Sequence, residues 1–554
     1  MRPWTSKSIT LAIIGLIFVA IGTTLSFTGP MIFRSILSRE LPLSPDSRSF
    51  EIWRDTTDIP VNIEFFFFNW TNPKELKTPG KKPNLVQVGP YAFVEKRQKV
   101  NITFHPENNT VSYLQRRTWH FDPDRSNGSL HDKIVQLNVV AVSAAHKIRY
   151  WAYFFQNSLS YMLNSLAGIH VVKTVDELLF TGYKDSIIDM GQFAPEDEEI
   201  PPYDRFGWFY LRNGSTAFDG LYNMGTGQDD LSNLGMTKNW NYKDTTKYYK
   251  SPCNAVEGSA GEFFPPFRNK DEITIFSADM CRPLTYEYVQ SVQHQGIPGY
   301  RYALGEKSLS NETWRKYPHE QAKYIETTTT TEDFFAVDGR TEASSASDKD
   351  PDLINTGHCF CNGECSPMGL INVTACRYGA PGFISLPHFY KADPILRDQV
   401  NGLNPNADQH SFYMTLEPTT GIPIDVAARL QVNILLQPSL TIALFKDVPK
   451  IYFPMFWFNL RSGTTEELAS SLRQLLMLPD IGSYCSAVMV AIGSLMLVIA
   501  AALLYLQRTR DSQNIKSRKV AASNGKKTEL IYMDVANGDD DANARTDRQL
   551  RPKL

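Results

Sequence analysis

At 554 residues the chain is longer than a single hydrophobic core usually grows, so one large irregular domain and two fused lobes both fit its length. Its formal charge is -3, with 21% of residues charged and 42% apolar. Basic residues are dispersed rather than gathered into a domain-sized stripe, which excludes nucleic acid as a partner.

In chain order, the first feature is residues 9–29, ITLAIIGLIFVAIGTTLSFTG, uncharged and long enough to cross a hydrocarbon core of about 30 Å as a helix. A cleaved signal peptide is the competing reading, but the apolar stretch is too long and no Ala-x-Ala site follows. Residues 481–506, IGSYCSAVMVAIGSLMLVIAAALLYL, form a second such stretch. Arg2 and Lys7 precede the first span, and Arg508, Arg510, Lys516, Arg518 and Lys519 follow the second. The positive-inside rule therefore places both termini in the cytosol. The expected layout is a cytosolic N-terminus (1–8), an ectodomain (30–480) closed by the membrane at both ends, and a disordered cytosolic tail (507–554).

Early in the ectodomain comes EFFFFNWTNP, with Phe65, Phe66, Phe67 and Phe68 in an unbroken run. A strand with one wet face alternates apolar and polar residues, so four consecutive Phe require apolar neighbours on both faces. Either they belong to the wall of a barrel with an apolar lumen, or they form a central strand between a sheet and covering helices. Val88 to Asp124 alternates around turn signals and reads as an antiparallel meander. Between Leu137 and Gly168 the pattern becomes helical, predicting two helices broken near Ile148 to Trp151 and a third at Val175 to Phe180, a helical insert over 137–182.

Strand-like pieces resume at Gly207 to Gly220 and Glu272 to Tyr288. Thr327 to Thr331 with FFAVDG reads as a strand, and Thr341 to Asp352 as a polar loop. Gln409 to Leu436 alternates on both sides of Thr420-Gly421-Ile422-Pro423, a long hairpin. Glu466 to Leu478 reads as an amphipathic helix leading to Pro479 and the second span. The fold class expected is α+β: a large antiparallel sheet, a helical insert and two spanning helices.

Seven Asn-x-Ser/Thr acceptors lie in the ectodomain, at Asn69, Asn101, Asn108, Asn127, Asn213, Asn311 and Asn372. Six of the seven cysteines (Cys253, Cys281, Cys359, Cys361, Cys365, Cys376) fall in one region, an even number suited to an oxidising compartment. Cys485 is left at the edge of the second span as a buried or lipid-facing thiol. His358-Cys359-Phe360-Cys361 with Cys365 has the look of a zinc cluster, but a disulfide framework accounts for it better there. Gly-x-Ser-x-Gly, the Walker pattern and His-Glu-x-x-His are absent from the sequence. No enzyme, metal or cofactor is expected. In the tail, Tyr532-Met533-Asp534-Val535 has the Tyr-x-x-apolar form that adds a strand to clathrin adaptors, with Tyr532 and Val535 filling two pockets. Pro552-Lys553-Leu554 offers a weaker PDZ-type terminus.

The phrases PVNIEFFFFNWTNP, VGPYAF, FFPPFRNKDEITIFSADMCRPL, ISLPHFYKADP and HSFYMTLEPTTGIPIDVAARLQVN, with the two spans and the Cys-x-Cys region, resemble the class B scavenger receptor family. That family takes in fatty acid, lipoprotein and carotenoid receptors, insect sensory neuron membrane proteins and a lysosomal membrane protein. The likeness runs from Arg2 to about Arg510. It implies a β-barrel ectodomain, an apical helical bundle and an apolar tunnel leading to the bilayer, with Phe65 to Phe68 in its wall. It further implies disulfides Cys253–Cys359, Cys281–Cys376 and Cys361–Cys365. Function follows as an expectation: a receptor at the plasma membrane or in endosomes and lysosomes that binds lipids, sterols, carotenoids or lipoprotein particles and transfers the lipid, or alternatively a trafficking or adhesion receptor for a protein. The apical ligand surface is expected at Trp151, Phe154, Phe155, Tyr161, Met162 and Lys173. Lys173 is the only lysine of LNSLAGIHVVKT, with His146, Lys147 and Arg149 one helix earlier, which disfavours strong attraction to anionic ligands, while the aromatic cluster with Tyr153 favours a flat, uncharged or sterol-like one.

Overall fold

The computed structural model describes residues 3–55, 59, 61–191, 199–310, 314–316 and 353–535. The expectations for Asn311, Thr327 to Thr331 with FFAVDG, Thr341 to Asp352 and Pro552 to Leu554 lie outside them. The chain divides into two compact units, residues 1–34 with 477–554, and residues 35–476.

The larger unit is built on one antiparallel sheet. Its strands are β1 (Val61–Trp70), β2 (Leu85–His105), β3 (Thr110–Phe121), β6 (Tyr222–Gly225), β7 (Thr237–Trp240), β8 (Glu272–Ser277), β9 (Arg282–His294), β10 (Ile297–Leu304), β15 (Tyr413–Leu416), β16 (Pro423–Leu436) and β17 (Ile451–Gly463), in the spatial order β7-β6-β3-β2-β1-β17-β16-β15-β10-β9-β8. β13 (Ile371–Asn372) and β14 (Gly382–Ser385) join through β16. Short hairpins β4 (Lys133–Leu137) with β5 (His170–Thr174), and β11 (Trp314–Lys316) with β12 (Leu353–Asn355), stand apart.

The sheet curls until its edges β7 and β8 nearly meet. The gap is bridged by one extended segment: Ser259 makes bridges to Met236 and to Ile275, and Thr237 donates its N–H to Gly258 O at 2.8 Å. Gly258 has φ +99°, and a Cβ there would stand 2.7 Å from Thr274 O, so a side chain cannot occupy the seam. Closure removes the unpaired edges that a sheet of this width would otherwise expose.

Helices α1 (Pro3–Glu40) and α2 (Arg48–Arg54) precede the sheet, and the helical insert between β4 and β5 holds α3 (Val139–Lys147) and α4 (Tyr153–Leu166), with the break at Ile148 to Ala152. The expected third helix is a π turn, Glu177–Thr181, ahead of the short helix α5 (Ser186–Met190). Gly207 to Gly220, expected to be strand-like, is a chain of turns instead: after Trp208-Phe209-Tyr210 the backbone turns at Leu211 (φ 60°), Gly214 (φ 77°) and Gly220 (φ 79°), left-handed conformations that a regular strand does not carry.

The smaller unit holds the greater part of helices Pro3–Glu40 and Glu466–Val535, each of which carries a stretch long and apolar enough to cross a membrane. They pack through glycines. A Cβ on Gly15 would lie 2.9 Å from Gly493 O, and one on Gly22 would lie 2.9 Å from Ser486 O, so the backbones approach as only small residues allow. Two sequence expectations are corrected here. The helix runs through Pro479 without ending, and it continues to Val535, where an irregular tail was expected from Gln507. Gln507 to Val535 carries seven Arg and Lys, no proline and a single glycine, Gly525, and sustains the helix it inherits.

Candidate ligand cavity and capture surface

Inside the barrel lies a cavity of about 1030 Å³, at the upper end of ordinary ligand pockets, which run about 300–1,000 Å³. Its apolar wall follows from strand periodicity. β1 pairs with β17 and β17 with β16 so that Val61, Ile63, Phe456, Phe458, Leu460, Val426, Ala428, Leu430 and Val432 all point to one side, and all of them line the cavity. Along β16 the stripe from Val426 to Ile434 covers about 26 Å at about 3.3 Å per residue. Near its start, Ile424 packs with Ala469 and Leu472; at its end, Ile434 shares a core cluster with Val139 and Val140 of α3.

The opposite wall is polar, and composition alone did not reveal it. Glu95, Arg97 and Lys99 share the inward face of β2, and β3 sets Trp119, Arg117 and Gln115 opposite them. Arg97 Nε meets Glu95 Oε1 at 2.6 Å, and Trp119 Nε1 donates to Glu95 Oε2 at 3.0 Å. Lys99, buried, contacts Gln115 and reaches Glu262 Oε1 at 2.6 Å, while Trp53 Nε1 donates to Glu262 Oε2 at 2.8 Å. Arg117 Nε lies 2.9 Å from Asp219; Arg212 Nη2 lies 2.9 Å from both Asp219 and Asp279; Arg377 reaches Asp279 at 3.5 Å. Burial alone would raise the Asp279 carboxyl, yet Arg212, Arg117 and Arg377 together hold it well below the usual carboxylate range. Glu95 is likewise lowered against burial, by Arg97, Arg117 and Arg212. Burial draws the Lys99 amine downward, with Glu262 opposing.

The phenylalanine run stands behind this lining and forms no part of it. Phe65, Phe67 and Phe68 are fully buried, and none of the four lines the cavity. Phe209, which does line it, packs edge-on against Phe65 at 5.2 Å, with Phe93 at 5.7 Å. On the other face Phe66 stacks on Trp457 at 4.1 Å and Phe68 meets His388 edge-on at 5.2 Å. The expected tunnel residues are thus the core of a barrel strand covered on its outside by the segment carrying His388 and His410, because a strand apolar on both faces can be packed on both.

The expected capture residues divide into two groups. On α4, Phe154 and Tyr161 are 73% and 78% exposed, and Phe155 is also exposed. Trp151 and Met162 instead pack against the main core cluster. Lys173 Nζ sits over the Tyr183 ring at 4.5 Å. Exposed Tyr150 and Tyr153, beside Phe154 in sequence, extend the aromatic surface.

Residues 13–504, which include the whole barrel and most of both apolar stretches, match one family model, described as the CD36 family. The chain belongs to the CD36 family. It is 34% identical to "Protein peste" of Drosophila melanogaster over 87% of this chain and 80% of that one. It is 29% identical to "Scavenger receptor class B member 1" of Mus musculus, over 88% of this chain and 87% of that one. It is 30% identical to "Lysosome membrane protein 2" of Homo sapiens, over 79% and 82% respectively. This CD36-family chain accordingly has the fold expected from its phrases, and its relatives support a scavenger receptor role.

Cys253–Cys359 and Cys361–Cys365 are bonded, which removes the cysteines that gave the zinc-like pattern from any metal site. Cys281 and Cys376, expected as the third bridge, are buried free thiols within hydrogen-bonding contact of each other. Among the acceptor asparagines, Asn101, Asn108, Asn127 and Asn213 are exposed. Asn69 and Asn372 are half-buried, and their Oδ1 atoms accept the N–H groups of Val135 and Thr374. Cys485 is exposed on its helix, and Tyr532 and Val535 lie in the last turns of the same helix.

Proposed function

We propose that the protein captures a lipid or lipid-carrying particle on the exposed aromatic face of α4 and passes the lipid through the barrel cavity to the bilayer. The observation that carries this reading is the 1030 Å³ cavity, whose walls reach from α3 and α5 to Leu41, Leu472 and Leu475, beside the helices that continue into the apolar segments. Transfer then needs no fuel. Burying apolar surface gains roughly 25 cal/mol per Å², so lipid moves down its own chemical potential along a continuous dry path. In this reading the barrel faces away from the cytosol at the cell surface or within endosomes and lysosomes, both termini are cytosolic, and the four exposed asparagines carry sugars. Cys281 and Cys376 close to a disulfide in the oxidising compartment, and Tyr532 with Val535 recruits an adaptor for internalisation.

The test is obstruction from within. Ala428 lines the cavity from β16, so Ala428→Trp places an indole in the lumen. Uptake of a fluorescent lipid is expected to fall at least about tenfold, with surface amount and particle binding retained. Full uptake by a correctly folded Ala428→Trp protein would overturn transfer through the cavity. It would favour a second reading, for which the same exposed α4 aromatics speak: a docking receptor that carries its cargo inward whole. In that case Tyr532→Ala abolishes uptake, whereas under direct transfer lipid still enters at the surface.

A further inference from the structure

We propose that residues 508–519, where the C-terminal helix leaves its apolar stretch, form a binding site for an inositol lipid of the cytosolic leaflet that carries several phosphates on its headgroup. The inference rests on the reading that the C-terminus is cytosolic, and is independent of what the cavity carries. The helix Glu466–Val535 does not end with its apolar stretch at Leu506. Over the next thirteen residues it carries Arg508, Arg510, Lys516, Arg518 and Lys519 against one acid, Asp511, in a chain whose overall charge is -3. All five cations are exposed, and none of them forms an ion pair with a described residue.

Helical geometry sorts these cations by height. At 1.5 Å per residue, Arg508 and Arg510 stand about 3 and 6 Å beyond Leu506, among the headgroups, where cations set the orientation of a span. Lys516, Arg518 and Lys519 stand about 15, 18 and 20 Å beyond it. Salt screens the field of a charged leaflet within roughly 8 Å, so acidic lipids with a single charge at the surface hold these three weakly. Side chains on a helix lean toward its N-terminus, which here is the bilayer side, so the long stems of Lys516 and Lys519 reach back toward the leaflet. Arg508, Lys516 and Lys519 fall within about 80° of one another around the helix, a ladder of positive charge along one side. A ligand that fills the ladder needs negative charge at more than one height: a phosphate at the surface for the planar fork of Arg508, and further phosphates on a ring standing out into water for the lysine ammoniums. A clustered basic segment directly beyond a span has the charge to select such a headgroup.

The experiment measures binding of dioctanoyl phosphatidylinositol bisphosphate, dioctanoyl phosphatidylinositol and free inositol trisphosphate to the purified full-length protein in uncharged detergent. Wild type is expected to hold the bisphosphate at least about tenfold more tightly than the unphosphorylated lipid. Lys516→Gln, Arg518→Gln and Lys519→Gln together, with Arg508 and Arg510 left to orient the span, are expected to abolish that preference. Ala428→Trp is expected to keep it, which separates the tail from the cavity. Equal binding of the two lipids by wild type, or a preference that survives the triple change, would overturn the site. Free inositol trisphosphate bound as tightly as the bisphosphate lipid would overturn the assignment to a membrane lipid. The orientation is read separately: a C-terminal tag stained on intact, unpermeabilised cells would overturn the cytosolic reading and with it the leaflet, whatever the purified protein binds.

Discussion

Phe67 has no solvent exposure and touches Tyr91 at 6.0 Å and Phe456 at 5.6 Å, ring centre to ring centre. Replacing it with alanine removes a whole ring from a closed core, and Phe67→Ala is expected to cost about 3–5 kcal/mol, read from the shift of the denaturant midpoint of the solubilised protein. Since the ring does not line the cavity, lipid uptake per folded molecule is expected to stay within about twofold, whereas Ala428→Trp does the reverse, sparing stability and blocking passage. A charged residue at Phe65 or Phe67 would abolish folding before it tested transport. The sequence made the run legible as a strand apolar on both faces. It did not say which apolar neighbours face a lumen, because a side chain packed beneath Phe209 and one facing a cavity are equally hydrophobic.

At the scale of elements, α4 shows how far a helix can leave its apolar residues unused. Leu159, Ser160 and Leu163 form its buried face, with Ser160 Oγ accepting the N–H of Ala443 at 2.9 Å, while Phe154 and Tyr161 stand in solvent. The double change Phe154→Ala with Tyr161→Ala is accordingly expected to move stability by no more than about 0.5 kcal/mol per site, and to weaken binding of lipid vesicles or lipoprotein in a flotation assay. Unchanged binding would remove this face from the capture surface. The break between α3 and α4, the β15–β16 hairpin and the two apolar helices were all legible from periodicity. The polar wall was not, and β2 shows why. In Glu95-Lys96-Arg97-Gln98-Lys99 both faces are polar, so alternation cannot say which one is wet; the structure turns Glu95, Arg97 and Lys99 inward and leaves Lys96 and Gln98 exposed. Their partners Asp219, Glu262, Asp279 and Arg377 come from distant turns and loops. Pairing across such separations carries no local signature.

For the molecule as a whole, three histidines tie stability to pH. His388 and His410 stack at 4.4 Å between ring centres on the outside of the barrel, and each Nδ1 accepts a backbone N–H, from Asn404 at 3.0 Å and from Asn406 at 2.9 Å. Those bonds require neutral rings. Burial, with His410 adding to it, pushes His388 down to about 3; burial and Arg429 push His410 down to about 4; burial and Arg149 do the same for His146 in α3, to about 4. The unfolded chain, whose histidines titrate near 6.5, therefore takes up protons that the fold refuses. Stability is complete above about pH 6.5 and declines as pH falls toward the folded values. At pH 5 each histidine accounts for a loss of up to about 2 kcal/mol. The carboxylates depressed by their arginines, Asp279 and Glu95, act in the same direction only below about pH 4. The melting temperature is thus expected to drop between pH 7 and pH 5, before any carboxylate contributes. His388→Asn should flatten that slope, since Asn Oδ1 can accept the Asn404 N–H, cannot take a proton, and tolerates the left-handed φ of 54° at this position. A melting temperature equal at pH 7 and pH 5, or a His388→Asn protein with the wild-type slope, would mean that acid does not act through the pair. In that event the neutral histidines of the barrel wall would contribute no dependence of stability on pH between pH 7 and pH 5.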